Sequence, residues 1–420
     1  MKAFKLIIVL HAFGIAGFAG NTGAAEADPY ANPPTPAFEG QTGAPAPAIA
    51  SSYQVEVVAT GLVKPRSLVA LPDGNLLVAD GRGDVRIISP ESGLSDPLPG
   101  MPAVRSVDDR GFMDITLASD FSESRLVYLG YAAPPEGERG GPVSAAERTR
   151  AARQGEVFQI DQIARARLAA DNSRLENVDV IAELPSRRLF SAPDGSLYFS
   201  TMGNGALRVE VQKLTSLMGK ILRINSDGSI PEDNPFYGRS MVRQEIFSWG
   251  HRDPDGIMLH PETGGLWTIE HGPMGGDELN RIKPGTNYGW PMVTYGKNYD
   301  GTEIGPSART SVEQPLYYWF PSPAPSGLMM YTGEMFPQWR GDVFVGTMSP
   351  TEGKYLVRLE MGGEDGTQVL EEEHLLVDHD RRVRAMVQGV DGALYVLTDS
   401  ENDDDLNRHF PGEVLKLTPP

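Results

Sequence analysis

The chain has no cysteine among its 420 residues, which excludes disulfides, zinc–thiolate sites and a cysteine nucleophile together. Beyond its first two dozen residues it also lacks any apolar run long enough to cross a bilayer. Basic charge is in short supply: 37 Lys and Arg stand against 56 Asp and Glu, a formal net charge of −19. Such an acidic balance is a poor match for nucleic acid and suits cations, solubility and neutral small molecules. Histidine is sparse, and none falls between His11 and His251.

Glycine and proline, by contrast, are plentiful, at 47 and 34. With 40% hydrophobic residues, that composition fits many short buried strands joined by tight turns, an all-β chain. The opening residues carry Lys2 and Lys5, an apolar run from Leu6 to Ala19, and Ala25 and Ala27 in an A-x-A arrangement. This pattern predicts a signal peptide over residues 1–25 and a secreted, periplasmic protein with no stable membrane span once the leader is removed. Residues 26–50, rich in Pro, Ala and Gly without apolar periodicity, read as an extended, flexible linker. The main domain is expected over 51–420, with a surface insertion at about 132–154 that includes a short helix.

One unit recurs along that domain: a polar turn followed by a short apolar strand. LPDGNLLVAD, SDFSESRLVYLGY, APDGSLYFST, HPETGGLWTIE, FPQWRGDVFVGT and GVDGALYVLTD are its six occurrences. About 370 residues shared among six units leave roughly 60 for each, the size of a four-stranded blade with generous loops. A six-bladed β-propeller is the leading architecture, with a pair of β-sandwiches as the alternative. YQVEVVATGL near the start and GEVLKLTPP at the end both read as strands and are expected to pair in the last blade. Function in a propeller is expected where loops from every blade converge on the central channel.

The densest loop chemistry lies in GHRDPDG (250–256), EHGPMGGDELN (270–280) and GTNYGWPMVTYGKNY (285–299). Glycines there let backbone carbonyls approach a ligand, and Glu270, Asp277 and Glu278 add carboxylates, an oxygen-rich mixture that a hard cation such as Ca²⁺ prefers. The aromatic stretch PLYYWFPSPAPSG (315–327) offers rings that could stack on a sugar at the channel mouth or form a buried strand. Ser322 and Ser326 within it are lesser candidates for cofactor contact.

GLVKPRSLVALPDGNLLVAD, MGKILRINSDGSIPEDNPF, SWGHRDPDGIMLHPETGGLWTIEHGPMGGDELNRIKPGTNYGWP and RRVRAMVQGVDGALYVLTD resemble the soluble, pyrroloquinoline quinone (PQQ) dependent aldose sugar dehydrogenases, the glucose/sorbosone dehydrogenase family. The resemblance runs from Gln54 to the C-terminus, apart from the insertion. It implies a six-bladed propeller with PQQ and Ca²⁺ over the channel, a sugar oxidised to its lactone, and an external electron acceptor. By the same resemblance, Arg252, Arg382 and Arg384 are cationic cofactor contacts and His271 lies beside the cofactor. Gly272 and Pro273 supply carbonyls to the cofactor-site calcium, and Glu278 and Tyr288 belong to a second, structural calcium. Asp277 organises the loop next to the cofactor.

The chain departs from the family at several of these places. Counting back from Pro193-Asp194-Gly195 puts Leu184 where the family has its catalytic histidine. Arg110 stands for a glutamine, Asp253 for the asparagine of Arg-Asn-Pro, and Ser349 for a lysine, with Lys354 five residues on. Arg110 and Asp253 remain expected cofactor contacts. Arg252 and His271 are the candidate catalytic residues, His251 an alternative base, and a water activated by Asp253 or Asp277 a further one. A propeller that binds a ligand without turnover, and a calcium-dependent lactonase-like hydrolase, are the competing functions.

Overall fold

The structure is a computed structural model and describes residues 30, 32–107, 111–399, 401–403 and 408–420. The signal peptide expected at 1–25, and Arg110, lie outside those residues. Six four-stranded antiparallel sheets follow one another along the chain. Their innermost strands are Pro65–Ala70, Phe112–Leu117, Leu189–Ser191, Pro254–Leu259, Pro325–Met330 and Val383–Gln388, and each packs against the innermost strands of neighbouring sheets. The six-bladed propeller expected from the repeat is the architecture observed.

The repeating turn works the same way in the Asp-Gly units of blades one, three and six. Gly74, Gly195 and Gly392 take φ of 88°, 84° and 82°, a region that side chains resist. The preceding aspartate accepts the backbone N–H two residues on: Asp73 from Asn75, Asp194 from Ser196 and Asp391 from Ala393. The turn therefore carries its own hydrogen bond and launches the second strand of the blade. That strand is buried from end to end in Leu76–Asp80, Ser196–Ser200 and Leu394–Thr398, because blades pack on both of its faces.

The ring closes as expected. Gln54–Leu62 pairs with Gly412–Thr418, Gln54 opposite Thr418 and Leu62 opposite Gly412, and supplies the outer strand of the last blade.

One expectation is corrected. The Pro-rich stretch before residue 51 is not a free tether: residues 32–50 lie along blades four and five. Gln41 is wholly buried, its amide nitrogen donating to the Pro315 carbonyl at 2.9 Å while Oε1 accepts from Ala37 N and Tyr295 Oη. Tyr318 N donates to the Gln41 carbonyl, Tyr318 Oη to the Pro34 carbonyl, and Glu372 N to the Pro45 carbonyl. Without a strand partner the strap's own carbonyls are left free, and distant side chains and amides occupy them. The aromatic stretch takes the second of its two expected readings: Tyr317, Tyr318 and Trp319 form the buried outer strand of blade four, beneath the strap, and do not line the mouth.

The insertion is ordered and begins later than expected, since Ala132 and Ala133 still belong to a blade-two strand. Gly141–Val143 pairs in parallel with Arg105–Val107. Helix Ala145–Gln154 is opened by a reciprocal cap, Ser144 Oγ accepting from Glu147 N at 3.2 Å and Glu147 Oε2 accepting from Ser144 N at 2.8 Å. It ends at Gly155 in the left-handed conformation.

Candidate active site

The site is built at the N-terminal ends of the innermost strands. In five of them the ladder slips there: the register shifts between Pro65 and Ser67, Phe112 and Asp114, Pro254 and Gly256, Ser326 and Leu328, and Val383 and Ala385. Bulges re-aim the residue they free, and three of the freed residues are Arg66, Asp255 and Arg384. Below this level the channel, of about 490 Å³, is lined mainly by apolar side chains such as Val69, Ile115, Phe190, Met258, Met329 and Val387.

Arg188 crosses the axis. Its Nε donates to Asp255 Oδ1 at 2.8 Å and to the Asp255 carbonyl, Nη1 to the Arg66 carbonyl at 3.0 Å, and Nη2 to the Arg384 carbonyl at 3.2 Å. Asp114 of blade two stands 3.7 Å from the same guanidinium and accepts from Ser67 Oγ and Leu189 N. One side chain thus joins five blades. Arg187, beside it, bonds Asp255 Oδ2 at 2.9 Å and sits 3.1 Å from Asp253 Oδ1, whose other oxygen accepts from Asn204. Burial would raise the Asp255 carboxyl, but Arg187, Arg188, His271 and Arg384 hold it well below the usual carboxylate range. Burial pushes Asp114 the other way, against the pull of Arg188.

His271 is the imidazole at this level. Its Nε2 lies 3.6 Å from Asp255 Oδ2, its side chain is 15% exposed, and its backbone is fixed by Asp253 and Arg252: His271 N donates to the Asp253 carbonyl and Arg252 Nη1 to the His271 carbonyl. Arg252 also lies over the Trp290 ring and donates its backbone N–H to Glu270 Oε2 at 2.7 Å. His251 is occupied elsewhere. Fully buried, it bonds Ser248 Oγ at 2.8 Å and Glu270 Oε1 at 3.0 Å and stacks on Tyr288, which leaves no face for a substrate. Leu184, expected at the place of the family's histidine, packs against the apolar cluster of blade three.

The loop 270–278 folds tightly upon itself. A Cβ on Gly272 would stand 2.2 Å from the Gly275 carbonyl oxygen, and one on Gly276 2.3 Å from Gly296 N, so glycine is required at both. Asp277 is the fastening: Oδ1 accepts from Gly272 N at 2.6 Å, and Oδ2 from Ser322 Oγ at 2.5 Å and Ala324 N at 3.1 Å. The structure therefore spends Asp277 and Ser322 on the loop, and Ser326 on the Val383 carbonyl. Ser349 caps its own turn, accepting from Glu352 N. Arg382 precedes the innermost strand of blade six, and Arg384 contacts Met348 Sδ at 2.6 Å and Asp399 at 3.9 Å.

Beneath the loop a cavity of about 10 Å³, barely room for one water, is lined by Glu270, Glu278, Gly272, Gly276, Tyr288 and Trp290. Asn280 Nδ2 bridges Glu270 Oε1 and Glu278 Oε2, while its Oδ1 has no partner among the described residues. Burial first, and Glu270 second, push the Glu278 carboxyl well above its ordinary range. Among the described residues no hydrogen bond takes the Gly272 or Pro273 carbonyl. Free carbonyls beside a strained pair of carboxylates fit a hard cation. The Tyr288 hydroxyl, however, is bound by Arg281 O and Lys283 N, so Tyr288 is placed beside that cavity with its phenol already engaged.

Reading the sequence alone missed Arg66, Asp114, Arg188 and Asp255. Their signal is a charge within the first three positions of an innermost strand, or just before it, in PRSLVA, FMDITL, RRLFS, PDGIML and VRAMVQ.

A family model described as Glucose / Sorbosone dehydrogenase matches residues 62–408. The aldose sugar dehydrogenase YliI of Escherichia coli is 34% identical over 382 residues, 88% of this chain and 94% of that protein. Quinoprotein glucose dehydrogenase B of Acinetobacter calcoaceticus is 29% identical over 284 residues, 61% and 56% of the two chains. The solved apo-form of the soluble Escherichia coli aldose sugar dehydrogenase matches with a TM-score of 0.73 and 32% identity, over 88% of this chain and all of that one. With a match that begins ahead of the first blade and runs into the last, this chain belongs to the glucose/sorbosone dehydrogenase family.

Proposed function

We propose that the protein is a sugar dehydrogenase that uses PQQ with calcium to oxidise an aldose or related sugar to its lactone, handing electrons to an external acceptor. The observation that carries this reading is the meeting of His271, Asp255 and a set of arginines at one end of the channel. A tricarboxylate needs cations, and Arg252, Arg382 and Arg384 are the residues that would hold it; the Nε atoms of Arg252 and Arg384 have no acceptor among the described residues. Membership of a family that includes a protein named a quinoprotein agrees. The Gly272 and Pro273 carbonyls would hold the calcium at the cofactor, and Glu278 with Tyr288 a second, structural one.

The quinone, when bound, supplies the hydride acceptor. The chain's own task is to take the proton from the sugar hydroxyl. Asp255, kept as a carboxylate by Arg187 and Arg188, faces His271 Nε2 and leaves Nδ1 to accept that proton. Arg252 orients His271 through its carbonyl. Secretion to the periplasm is part of this proposal and rests on the sequence of residues 1–25 alone. Among the described residues no helix is long and apolar enough to cross a membrane.

The test is a titration of PQQ, with and without calcium, into the purified protein, followed by a panel of aldoses while the cofactor's absorbance is read. Binding followed by bleaching to the quinol supports the proposal. Binding without bleaching by any aldose supports a second reading, a ligand-binding propeller without turnover, which an apolar leucine expected at the family's histidine position favours. A lactonase-like hydrolase would centre a cation on the axis, where the Arg188 guanidinium already lies.

A further inference from the structure

Arg66 is a buried-face arginine that the family resemblance leaves without a role. It occupies the bulge of the blade-one innermost strand, as Arg384 does in blade six. The two backbone carbonyls are held by the two Nη atoms of the one Arg188 guanidinium, at 3.0 and 3.2 Å, so the residues flank the same point on the axis. Among the described residues neither guanidinium has its full set of partners. Arg66 has no hydrogen bond or ion pair from its side chain among the described residues, and its Nε is enclosed without an acceptor. Arg384 Nη1 reaches the Met348 sulfur, and its Nε, without a hydrogen-bond acceptor among the described residues, stands 3.9 Å from Asp399 Oδ2. The nearby carboxylate, Asp255, is already bonded by Arg187 and Arg188.

From this geometry we infer that Arg66 and Arg384 form a clamp for a carboxylate of the ligand, Arg66 being a binding residue of the site. The charges agree: burial and the proximity of Arg384 both lower the Arg66 pKa well below the usual arginine range, the condition of a cation awaiting an anion. Two planar forks on neighbouring strands suit one carboxylate between them. That carboxylate belongs either to the quinone, in which case the clamp rests on the function proposed above, or to a sugar acid bound as substrate.

The experiment compares the wild type with Arg66→Gln and Arg66→Lys in three arms: calorimetric titration of PQQ, of glucuronate and of citrate, together with melting of each protein without ligand. The clamp predicts that Arg66→Gln weakens a carboxylate ligand by about 10- to 100-fold, with Arg66→Lys between. It also predicts that ligand-free Arg66→Gln melts no lower than the wild type, because removing an unpaired cation beside Arg384 relieves repulsion. A purely structural arginine would lower the melting temperature. Weakening of PQQ assigns the clamp to the cofactor, and weakening of glucuronate with PQQ unchanged assigns it to the substrate. Should the wild type fail to bind PQQ while citrate or glucuronate binding still depends on Arg66, the cofactor reading falls and the clamp stands. Arg66→Gln binding all three probes like the wild type, the wild type binding none of them, or a lowered ligand-free melting temperature overturns the clamp.

Discussion

Arg188 of blade three and Asp255 of blade four meet on the propeller axis, with Nε 2.8 Å from Oδ1 and side chains 6% and 0% exposed. Breaking a buried pair by removing one partner strands a charge, at about 3–5 kcal/mol. Arg188→Met should therefore lower unfolding stability by about that amount in a denaturant titration, and Arg188→Met combined with Asp255→Leu should recover part of it. Because the folded Asp255 pKa is depressed, its contribution is present above the unfolded carboxylate pKa of about 3.9 and is lost only as pH falls through the lower folded value. Wild type and Arg188→Met should accordingly differ at neutral pH and converge in strong acid.

His271 and His251 separate chemistry from support. With PQQ and calcium supplied, His271→Ala should bind the cofactor and lose about 10²- to 10⁴-fold in kcat, with the pH dependence of the base removed. His251→Ala leaves Ser248 and Glu270 without their shared partner, and should show itself chiefly as a lower melting temperature. Equal kcat for wild type and His271→Ala would remove His271 from the reaction.

Glu278 makes the metal-free protein sensitive to pH. Its folded pKa is raised by burial and by Glu270, so the stability linked to it is present in full below the unfolded value of about 4.3 and falls as pH rises toward the raised folded value. Calcium-free wild type should melt higher near about pH 5.5 than near about pH 7.5, Glu278→Gln should show less of that difference, and added calcium should restore the wild type at the higher pH. Identical pH profiles for the two proteins would mean that Glu278 is not the source.

The strap is tested at Gln41. Gln41→Ala abandons Pro315 O and Ala37 N near a buried surface, where an unsatisfied group costs about 1–3 kcal/mol. The variant should melt lower and release residues 32–50 to limited proteolysis. Unchanged melting would show that the strap adds no stability.

The propeller was legible in the sequence because its signal is local: Asp73-Gly74, Asp194-Gly195 and Asp391-Gly392 each fix a turn within four residues. The loop 270–278 was legible for a similar reason, since its glycines and Asp277 act on one another. The strap was not, because Gln41 finds its partners at Tyr295, Pro315 and Tyr318, far along the chain, and no composition rule distinguishes a docked Pro-rich segment from a loose one. Nor was the axis. Arg66, Asp114, Arg188 and Asp255 are each unremarkable alone and become a site only when the blades converge. His251 misled for the opposite reason: the sequence displays an imidazole beside Arg252, and burial turns it away from solvent.

The pairing of Gln54–Leu62 with Gly412–Thr418 has a consequence for the order of events in folding. The last blade draws its strands from opposite ends of the domain, so the ring cannot close while the final strand is still being synthesised. A contact between segments so distant in the chain carries a large loop-closure cost and forms slowly. Until it forms, the first and last blades present open edges, and the axis residues of blades one and six, Arg66 and Arg384, have not been brought together. The meeting of Arg66 with Arg384 is thereby tied to assembly of the last blade.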